Sequence, residues 1–281
     1  MKKIGSYGIK YLDDRLTGIM DDEFVIIGLS TGCGKTTISQ IIARTNAQLG
    51  VKVALFALES FRGETIEKEA WVWWKLQFKK YDISFRDWEI NVPEYERARA
   101  REEAIKKFQN VMIFERTNNG YTLADLERDF AEAIKQGCNL IILDHIDYFS
   151  NIEDLAENKF TKKVMDTVRA LQDENKVPIV AFSQFRKSND KGIIIPSLDE
   201  LFGSSEKSKT ATTVIIGARN YDIPPENGRY PTYLAIRKDR YGVTSACLTA
   251  FDARLNRYED AYQPVRVNYW GTTVTEEKNG V

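Results

Sequence analysis

Short apolar runs alternate along most of the chain with segments of helical periodicity. Five runs are rich in β-branched and aromatic residues, as buried parallel strands are: FVIIG from Phe24, VALFALE from Val53, VMIFE from Val111, LIILD from Leu140 and VPIVAFSQ from Val177. Between them, one helical segment stops at Gly50, and another runs from Thr122, in a capping box with Asp125, to Gly137. This alternation predicts an α/β fold with a mostly parallel, twisted sheet and helices on both faces.

Two regions depart from the alternation. Residues 60–109 are predicted to form a helical insert, in which three aromatic residues share one helical face: Trp71, Trp74 and Phe78. We interpret these aromatic residues as packing residues rather than as a base-stacking platform. After Pro231, alternating segments predict an antiparallel β-hairpin added to the sheet. The expected domain therefore spans residues 1–265, with the insert inside it, and residues 266–281 form a tail.

The composition indicates a globular protein without a global charge signal. Of the 281 residues, 43% are hydrophobic and 29% charged, and 40 basic residues balance 41 acidic ones. Binding to nucleic acid would therefore depend on local charge. No apolar run approaches the roughly 18 residues of a membrane helix, so a cytoplasmic protein without membrane contact is expected. The cysteines lack CxxC spacing, which argues against zinc and disulfides: Cys33, Cys138 and Cys247.

The loop GLSTGCGKTT, residues 28–37, nearly fits the phosphate-binding pattern GxxxxGK[ST], but Leu29 stands where the first glycine belongs. Such a loop needs small residues whose N–H groups converge on phosphate, a lysine for the terminal phosphates and a hydroxyl for magnesium. Lys35 and Thr36 supply the last two, and Leu29 is tolerable if its side chain points away. The alternative is a glycine-rich turn without a ligand. The predicted nucleotide-binding residues are Ser30, Thr31, Gly32, Cys33, Gly34, Lys35, Thr36 and Thr37.

Two acidic residues follow predicted strands. Asp144 ends LIILD, where its carboxylate can hold the shell of a magnesium ion together with Thr36. Glu59 follows the second strand, where it would lie beside an attacking water. A glutamate after a strand is commonplace, so the catalytic assignment of Glu59 depends on the wider pattern.

The order of the motifs resembles that of the RecA-like motor domain, the C-terminal domain, of DnaB-type replicative helicases, including phage and plasmid relatives. The resemblance covers about residues 5 to 260, and in this family alanine often replaces the first loop glycine. The matching stretches are YGIKYLDDRLTG, LSTGCGKTT, FALES, GYTLADLERDF, NLIILDHIDYF, PIVAFSQFRK and IRKDRYG.

The resemblance implies an ATP- and Mg²⁺-dependent helicase with nucleotide sites between the subunits of a six-membered ring, single-stranded DNA in its channel and 5′ to 3′ movement. It implies that Gln184 senses the terminal phosphate. It also implies that Lys238 and Arg240 reach the neighbouring subunit's nucleotide, with Arg240 as the arginine finger. The Lys-x-Arg spacing places both side chains on one face of a strand, and the alternative is an ordinary solvated pair.

The chain departs from the family pattern in two places. Extra residues follow Gly203, and only a few residues precede the motor, whereas the family carries an amino-terminal domain or a primase that helps to hold the ring together. The chain is thus an excised part or a minimal protein that assembles differently, and a primase or a helicase loader is a candidate partner.

DNA contacts are expected from the loops after Asp144 and after Gln184. The second is the better candidate, and the segment after Gly203 adds two lysines. Contacts to the phosphate backbone would be sequence-tolerant and would weaken with salt. A near-neutral chain can make such contacts because six copies would focus their charge inside one channel. The candidate residues are Arg186, Lys187, Lys191, Lys207 and Lys209, and for each the alternative is a solvated charge.

The single histidine, His145, is expected to point to the opposite side of the strand from Asp144 if the strand continues, and to serve packing or hydrogen bonding. Two other functional classes stay open beside the helicase motor. One is a RecA-like ATPase that pairs or anneals strands without unwinding, and the other is a nucleotide-dependent helicase-loading or regulatory module. Glu59 argues against the second, because a binding switch has less need of a water-activating carboxylate.

Overall fold

The computed structural model describes residues 1–29, 33–59, 62–116, 120–184, 198 and 204–266. The amino-terminal segment contains three short elements, of which the two strands pair antiparallel: β1 (Lys3–Gly5), α1 (Lys10–Leu16) and β2 (Ile19–Met20). The apolar pattern did not predict them, because so few residues carry no recognisable period.

Six parallel strands form most of a ten-stranded sheet, as counted over the described ranges. They are β3 (Phe24–Leu29), β4 (Val53–Ala57), β5 (Val111–Glu115), β6 (Leu140–Asp144), β7 (Ile179–Gln184) and β8 (Thr213–Arg219). Their spatial order is β8-β3-β7-β6-β4-β5. Five of them coincide with the predicted apolar runs, and the predicted α/β fold with a mostly parallel sheet is confirmed.

Antiparallel strands extend the sheet beyond β8. They are β9 (Arg229–Asp239), β10 (Ser245–Asp252), β11 (Arg257–Tyr258) and β12 (Gln263–Val265). The predicted carboxyl-terminal hairpin is confirmed, with β9 beginning two residues before Pro231. The tail residues from 267 onward lie outside the described residues.

Helices cover both faces of the sheet. They are α2 (Lys35–Gln48), α3 (Arg62–Phe78), α4 (Phe85–Asn91), α5 (Glu94–Lys107), α6 (Leu123–Lys135), α7 (Glu157–Asn175) and α8 (Ser204–Thr210). Side chains of β3 alternate between two cores: Val25 and Ile27 join a cluster with α2, while Phe24 and Ile26 join one with α6 and α7. No helix in the described part of the chain is both long and apolar enough to cross a membrane.

The helix α6 begins as its sequence predicts. Thr122 Oγ1 accepts a hydrogen bond from the Asp125 backbone N–H at 3.1 Å, and Asp125 Oδ2 accepts one from the Thr122 N–H at 2.9 Å. These reciprocal bonds form the capping box, and Gly137 beyond the helix has a φ of +81°.

The helical insert, α3 to α5, has its own small core. Trp74 and Trp88 are 2% and 0% exposed, and they pack with Ala100 and Ala104. The indole N–H of Trp74 donates to Glu96 at 2.6 Å. Packing is therefore the role of Trp74, as predicted, although Phe78 at the end of the same face is 43% exposed.

A buried three-charge cluster fixes the insert to the sheet-packing helix α2. Glu69 on α3 is 1% exposed and lies 2.9 Å from Arg44 on α2 and 2.9 Å from Lys107 at the end of α5. Burial by itself would raise the pKa of Glu69, but the two cations outweigh it and hold that pKa below its ordinary value. The carboxylate is therefore ionised near neutral pH, and both cations depend on it for charge compensation.

We expect Glu69→Gln to lower the free energy of unfolding by about 3 kcal/mol at pH 7, because it leaves two partly buried cations without a counter-charge. Chemical denaturation measures this change. Glu64→Gln on the same helix breaks an exposed pair with Lys68 and should stay within about 0.5 kcal/mol of wild type.

The loss of unfolding free energy caused by Glu69→Gln should depend on pH. The pKa of Glu69 is depressed, so its contribution is present above the unfolded-state pKa of about 4.3 and is lost as the pH falls through the folded-state value. The difference between the two proteins should therefore shrink below about pH 4. Equal stability of both proteins at pH 7 would contradict the role assigned to the cluster.

Candidate active site

The glycine-rich loop joins the end of β3 to the start of α2, at the edge of the sheet where all parallel strands end. This edge is where open α/β sheets bind ligands. Gly34 precedes α2 with a φ of +78°, a conformation that favours glycine. The first helical turn carries Lys35, Thr36 and Thr37. The predicted loop residues Ser30, Thr31 and Gly32 lie outside the described residues.

The substitution of leucine for the first loop glycine is accommodated inside the protein. Leu29 is 2% exposed and packs in the core shared with α2. Its neighbour across the parallel pair is Gly217 on β8, where an added Cβ would lie 2.3 Å from Leu29 Cδ2. The side chain thus lies in the core, in space that a glycine on the adjacent strand leaves open.

The strand β11 and the turn before it form hydrogen bonds to the end of the loop and to the start of α2. The Tyr258 hydroxyl donates to the Cys33 carbonyl at 2.7 Å, and Thr37 Oγ1 donates to Asn256 Oδ1 at 2.8 Å. Burial raises the pKa of the Cys33 thiol, so its side chain has the properties of a packing residue rather than of a reactive thiolate.

The predicted acids converge beside Lys35. Lys35 Nζ lies 3.4 Å from Glu59 Oε2, and Glu59 is about half exposed just beyond β4. Asp144 is 2% exposed, and its Oδ2 accepts a 2.7 Å hydrogen bond from Ser39 Oγ on α2. Burial raises the pKa of Asp144, whereas Ser39 and Lys35 act in the opposite direction. Sequence reasoning did not identify Ser39, because a helical serine carries no motif of its own.

The residues at this edge fit a magnesium ion that is held mainly by a nucleotide. Asp144 Oδ1 is buried and has no hydrogen-bond partner among the described residues, so it retains capacity for a cation or its water shell. No group of three or more His, Cys, Asp or Glu side chains suited to a metal occurs in the described ranges. A phosphate-bound magnesium needs only one or two protein ligands.

His145 occupies a position that the strand pattern did not predict. The strand β6 ends at Asp144, so the alternation of side chains does not extend to the next residue, and the Asp144–His145 peptide bond is cis. His145 Nε2 lies 3.1 Å from Gln184 Nε2 and 3.7 Å from Glu59 Oε2. Because β6 ends at Asp144, the condition under which His145 would point to the opposite side does not hold, whereas the expected hydrogen-bonding role agrees with its contact to Gln184.

An irregularity in β9 comes just before the predicted Lys-x-Arg pair. Val214 pairs with Lys238 but Ile215 pairs with Ile236, so Arg237 is an extra residue. Lys238 Nζ donates to the backbone carbonyls of Ser208 at 2.5 Å and Ala211 at 2.7 Å. Burial lowers the pKa of Lys238.

Arg240 lies beyond the end of β9 and is exposed. Lys238 thus has hydrogen-bond partners in its own chain, and the expectation that both side chains reach a neighbouring subunit's nucleotide stays a prediction. Lys238 holds carbonyls at the end of α8, which leaves Arg240 as the side chain of this pair that a second molecule can reach.

The candidate DNA-binding residues separate into three groups. Arg186, Lys187 and Lys191 lie outside the described residues. Lys209 has a 73% exposed side chain, 3.5 Å from Glu206. Lys207 does not fit the prediction of a phosphate contact: it is 2% exposed and pairs with Asp147 in the short 3₁₀ turn Ile146–Tyr148. Burial of the ammonium group in this ion pair removes it from the surface.

This fold and this edge define the class of the protein, a RecA-like P-loop nucleoside-triphosphatase core. A model of the DnaB-like helicase C-terminal domain matches residues 6–260. The chain therefore belongs to the DnaB-like helicase C-terminal domain family, whose members are ATP-binding helicase domains of DNA replication. Among curated proteins, no sequence matches the chain.

Solved structures share the fold at low sequence identity. A DnaB-like replicative helicase studied with its primase interactions matches with a TM-score of 0.74 and 17% identity over 92% of this chain and 62% of that one. A solved ATPase domain gives 0.70 and 18% over 91% of both chains. A KaiC-like protein from the archaeon Pyrococcus horikoshii gives 0.54 and 15%, over 96% of this chain and 98% of that one.

The contact between Leu29 and Gly217 predicts a coupled pair of substitutions. Gly217→Ala should lower the free energy of unfolding by about 1–3 kcal/mol through overpacking, and Leu29→Ala by about 2–5 kcal/mol through loss of buried volume. In the double variant the new methyl group enters the space that leucine vacates. The loss of unfolding free energy in the double variant should therefore be smaller than the sum of the two single losses by about 0.5–3 kcal/mol.

Denaturant titration of the four proteins measures this coupling. Gly63→Ala is the matched control, because no atom lies within 4 Å of the added Cβ and the position is helical, so it should be neutral or slightly stabilising. Additive losses in the double variant would show that Gly217 does not accommodate Leu29.

Proposed function

We propose that the chain is the motor of a DnaB-type replicative helicase, which hydrolyses ATP between the subunits of a hexameric ring and moves 5′ to 3′ on single-stranded DNA. Membership of the helicase family and the convergence of Lys35, Glu59 and Asp144 at one edge of the sheet support the ATPase step. By likeness to the helicase studied with its primase interactions, a primase or a loader is the partner we expect.

Each side chain at the edge has a role suited to phosphoryl transfer. Lys35 would hold the terminal phosphates, while Thr36 and Asp144 would hold magnesium, which neutralises charge on the phosphate oxygens when bound. Glu59 would orient the attacking water and accept its proton, and its partial exposure gives water access to that carboxylate. Gln184, in contact with His145, would respond to the terminal phosphate.

The position of Arg240 is the observation that carries the proposal of sites between subunits. The Arg240 N–H donates to the Thr212 carbonyl at 2.9 Å, just before β8 begins. The nucleotide loop follows Leu29, which is level with Gly217 further along β8. Five residues of strand separate Thr212 from Gly217, or roughly 16 Å. Arg240 therefore lies at the opposite edge from the nucleotide loop of its own chain, and it can complete a site only in another subunit.

DNA would be held by basic residues of the segments that precede and form α8, with Lys209 as the exposed candidate among the described residues. The chain has a net charge of -1, so the expected binding depends on several copies presenting the same basic segment to one strand. An ATPase that anneals strands, or a helicase-loading module, could bind nucleotide at the same edge of the sheet without unwinding DNA. A strand-displacement assay on forked DNA separates these alternatives from a helicase.

A subunit-mixing experiment tests the proposed active site. Lys35→Ala removes the phosphate-binding lysine, and Arg240→Ala removes the finger, which is typically worth about 10³ to 10⁵ in rate when supplied in trans. Each variant alone should lose single-strand-stimulated ATPase activity. In an equal mixture, about a quarter of the interfaces join an intact loop to an intact finger, so activity should return to that fraction of wild type.

Two controls make the mixing result specific. Arg99→Ala changes another exposed arginine, on α5, and should leave activity in place. Both inactive variants should assemble as wild type does, as light scattering can check. If the equal mixture stays inactive although the subunits exchange, Arg240 is not a finger in trans; if single-stranded DNA leaves the wild-type rate unchanged, the motor function fails.

A further inference from the structure

The carboxylate of Asp147 forms hydrogen bonds to the last two residues of β7, close to the candidate active site. Asp147 Oδ2 accepts hydrogen bonds from the Gln184 backbone N–H at 2.8 Å and from Ser183 Oγ at 3.1 Å. Gln184 is the residue whose side chain contacts His145, which in turn approaches Glu59. Asp147 therefore fixes the backbone of the residue that would sense the terminal phosphate.

The other oxygen of the same carboxylate holds α8. Lys207 Nζ donates to Asp147 Oδ1 and, at 2.9 Å, to Ser183 Oγ. Gln184 ends β7 and α8 begins at Ser204, so the elements on either side of the intervening segment meet at Asp147. A shift of Gln184 relative to α8 must break or rebuild this contact.

The burial of the Asp147–Lys207 ion pair favours one fixed position of α8 relative to the end of β7. Lys207 is 2% exposed and Asp147 11% by side chain, so water cannot readily replace a lost partner. Burial alone would raise the pKa of Asp147, but His145, Lys207 and the Gln184 N–H outweigh it and lower that pKa to about 2. The Asp147 carboxylate is therefore ionised at neutral pH, and separating it from Lys207 would leave it buried without its counter-charge.

We propose that Asp147 and Lys207 form a positioning pair that couples the nucleotide state sensed at Gln184 to the placement of α8, and thereby to affinity for single-stranded DNA. The inference rests on the proposed function. Neither residue needs to touch the nucleotide or the DNA; the pair transmits a change because two elements share one buried ion pair. Lys207, first considered as a phosphate contact, acts here from the interior.

Three variants separate coupling from stability. Lys207→Met removes the cation and keeps the apolar stem. The double variant Asp147→Asn/Lys207→Met removes both charges, so it leaves no unpaired buried ion and retains an amide oxygen that can accept from Gln184 N–H. Lys207→Arg keeps the positive charge. Lys162→Met, which breaks an exposed pair with Asp166 on the neighbouring α7, is the matched control.

The measured quantity is the ratio of dissociation constants for a fluorescent oligothymidylate in the presence of ADP and of a non-hydrolysable ATP analogue. We expect the wild-type protein to show a ratio within about 5–150, the usual range for coupled sites. In Lys207→Met and in the double variant the ratio should approach one, while the dissociation constant of the ATP analogue without DNA stays within about threefold of wild type, or about 0.65 kcal/mol. Lys207→Arg should retain most of the ratio, and Lys162→Met all of it.

Two results would overturn the inference. One is a wild-type ratio in a folded double variant. The other is a proportionate loss of thermal stability, nucleotide binding and DNA binding in both charge-removing variants, which is what a purely structural pair would give. A wild-type protein that does not bind the oligonucleotide would instead refute the proposed function, so the two failures are distinguishable.

Discussion

The parallel register of β3 with its two neighbours is the constraint on which the candidate site depends. Leu29 is level with Gln184 on β7 and with Gly217 on β8. The nucleotide loop therefore leaves β3 at the height where Gln184 ends its own strand. A slip of one residue would turn the alternate side chains of β3 to the wrong faces of a sheet that has a core on each side, so packing on both faces fixes the register that the chemistry requires.

Several charged side chains near this edge of the sheet are buried, which costs solvation free energy. Asp144, Asp147 and Lys207 are almost inaccessible to water, and buried ion pairs seldom contribute much net stability. Such ion pairs can instead fix the geometry of a site. In a region of low effective dielectric, a carboxylate that has several partners keeps one orientation. Asp144 keeps one oxygen without a hydrogen-bond partner in the described part of the chain, whereas both oxygens of Asp147 are satisfied. The first arrangement suits a ligand, and the second suits a scaffold.

Sequence patterns predicted the parts of this structure that depend on local periodicity. The five apolar runs, the α6 capping box and the hairpin all follow from spacing along the chain. The environments of His145, Lys207 and Lys238 did not follow, for different physical reasons. The strand ends before His145, the partner of Lys207 is 60 residues away, and the carbonyl groups that Lys238 binds are 30 and 27 residues away. Such features depend on tertiary contacts. The presence of a charged residue in the sequence does not indicate which residues it will contact in the fold.

In the proposed function, the antiparallel addition to the sheet is the feature that would make catalysis depend on assembly. Because β9 runs against β8, its far end returns to the edge at which β3 begins, and Arg240 is exposed there. A finger on a parallel strand would end near the nucleotide loop of its own chain, and a monomer could then complete its site. The reversed direction makes that impossible without unfolding the hairpin. If Arg240 completes an active site at all, hydrolysis must wait for a neighbour, and the topology of one strand sets that requirement.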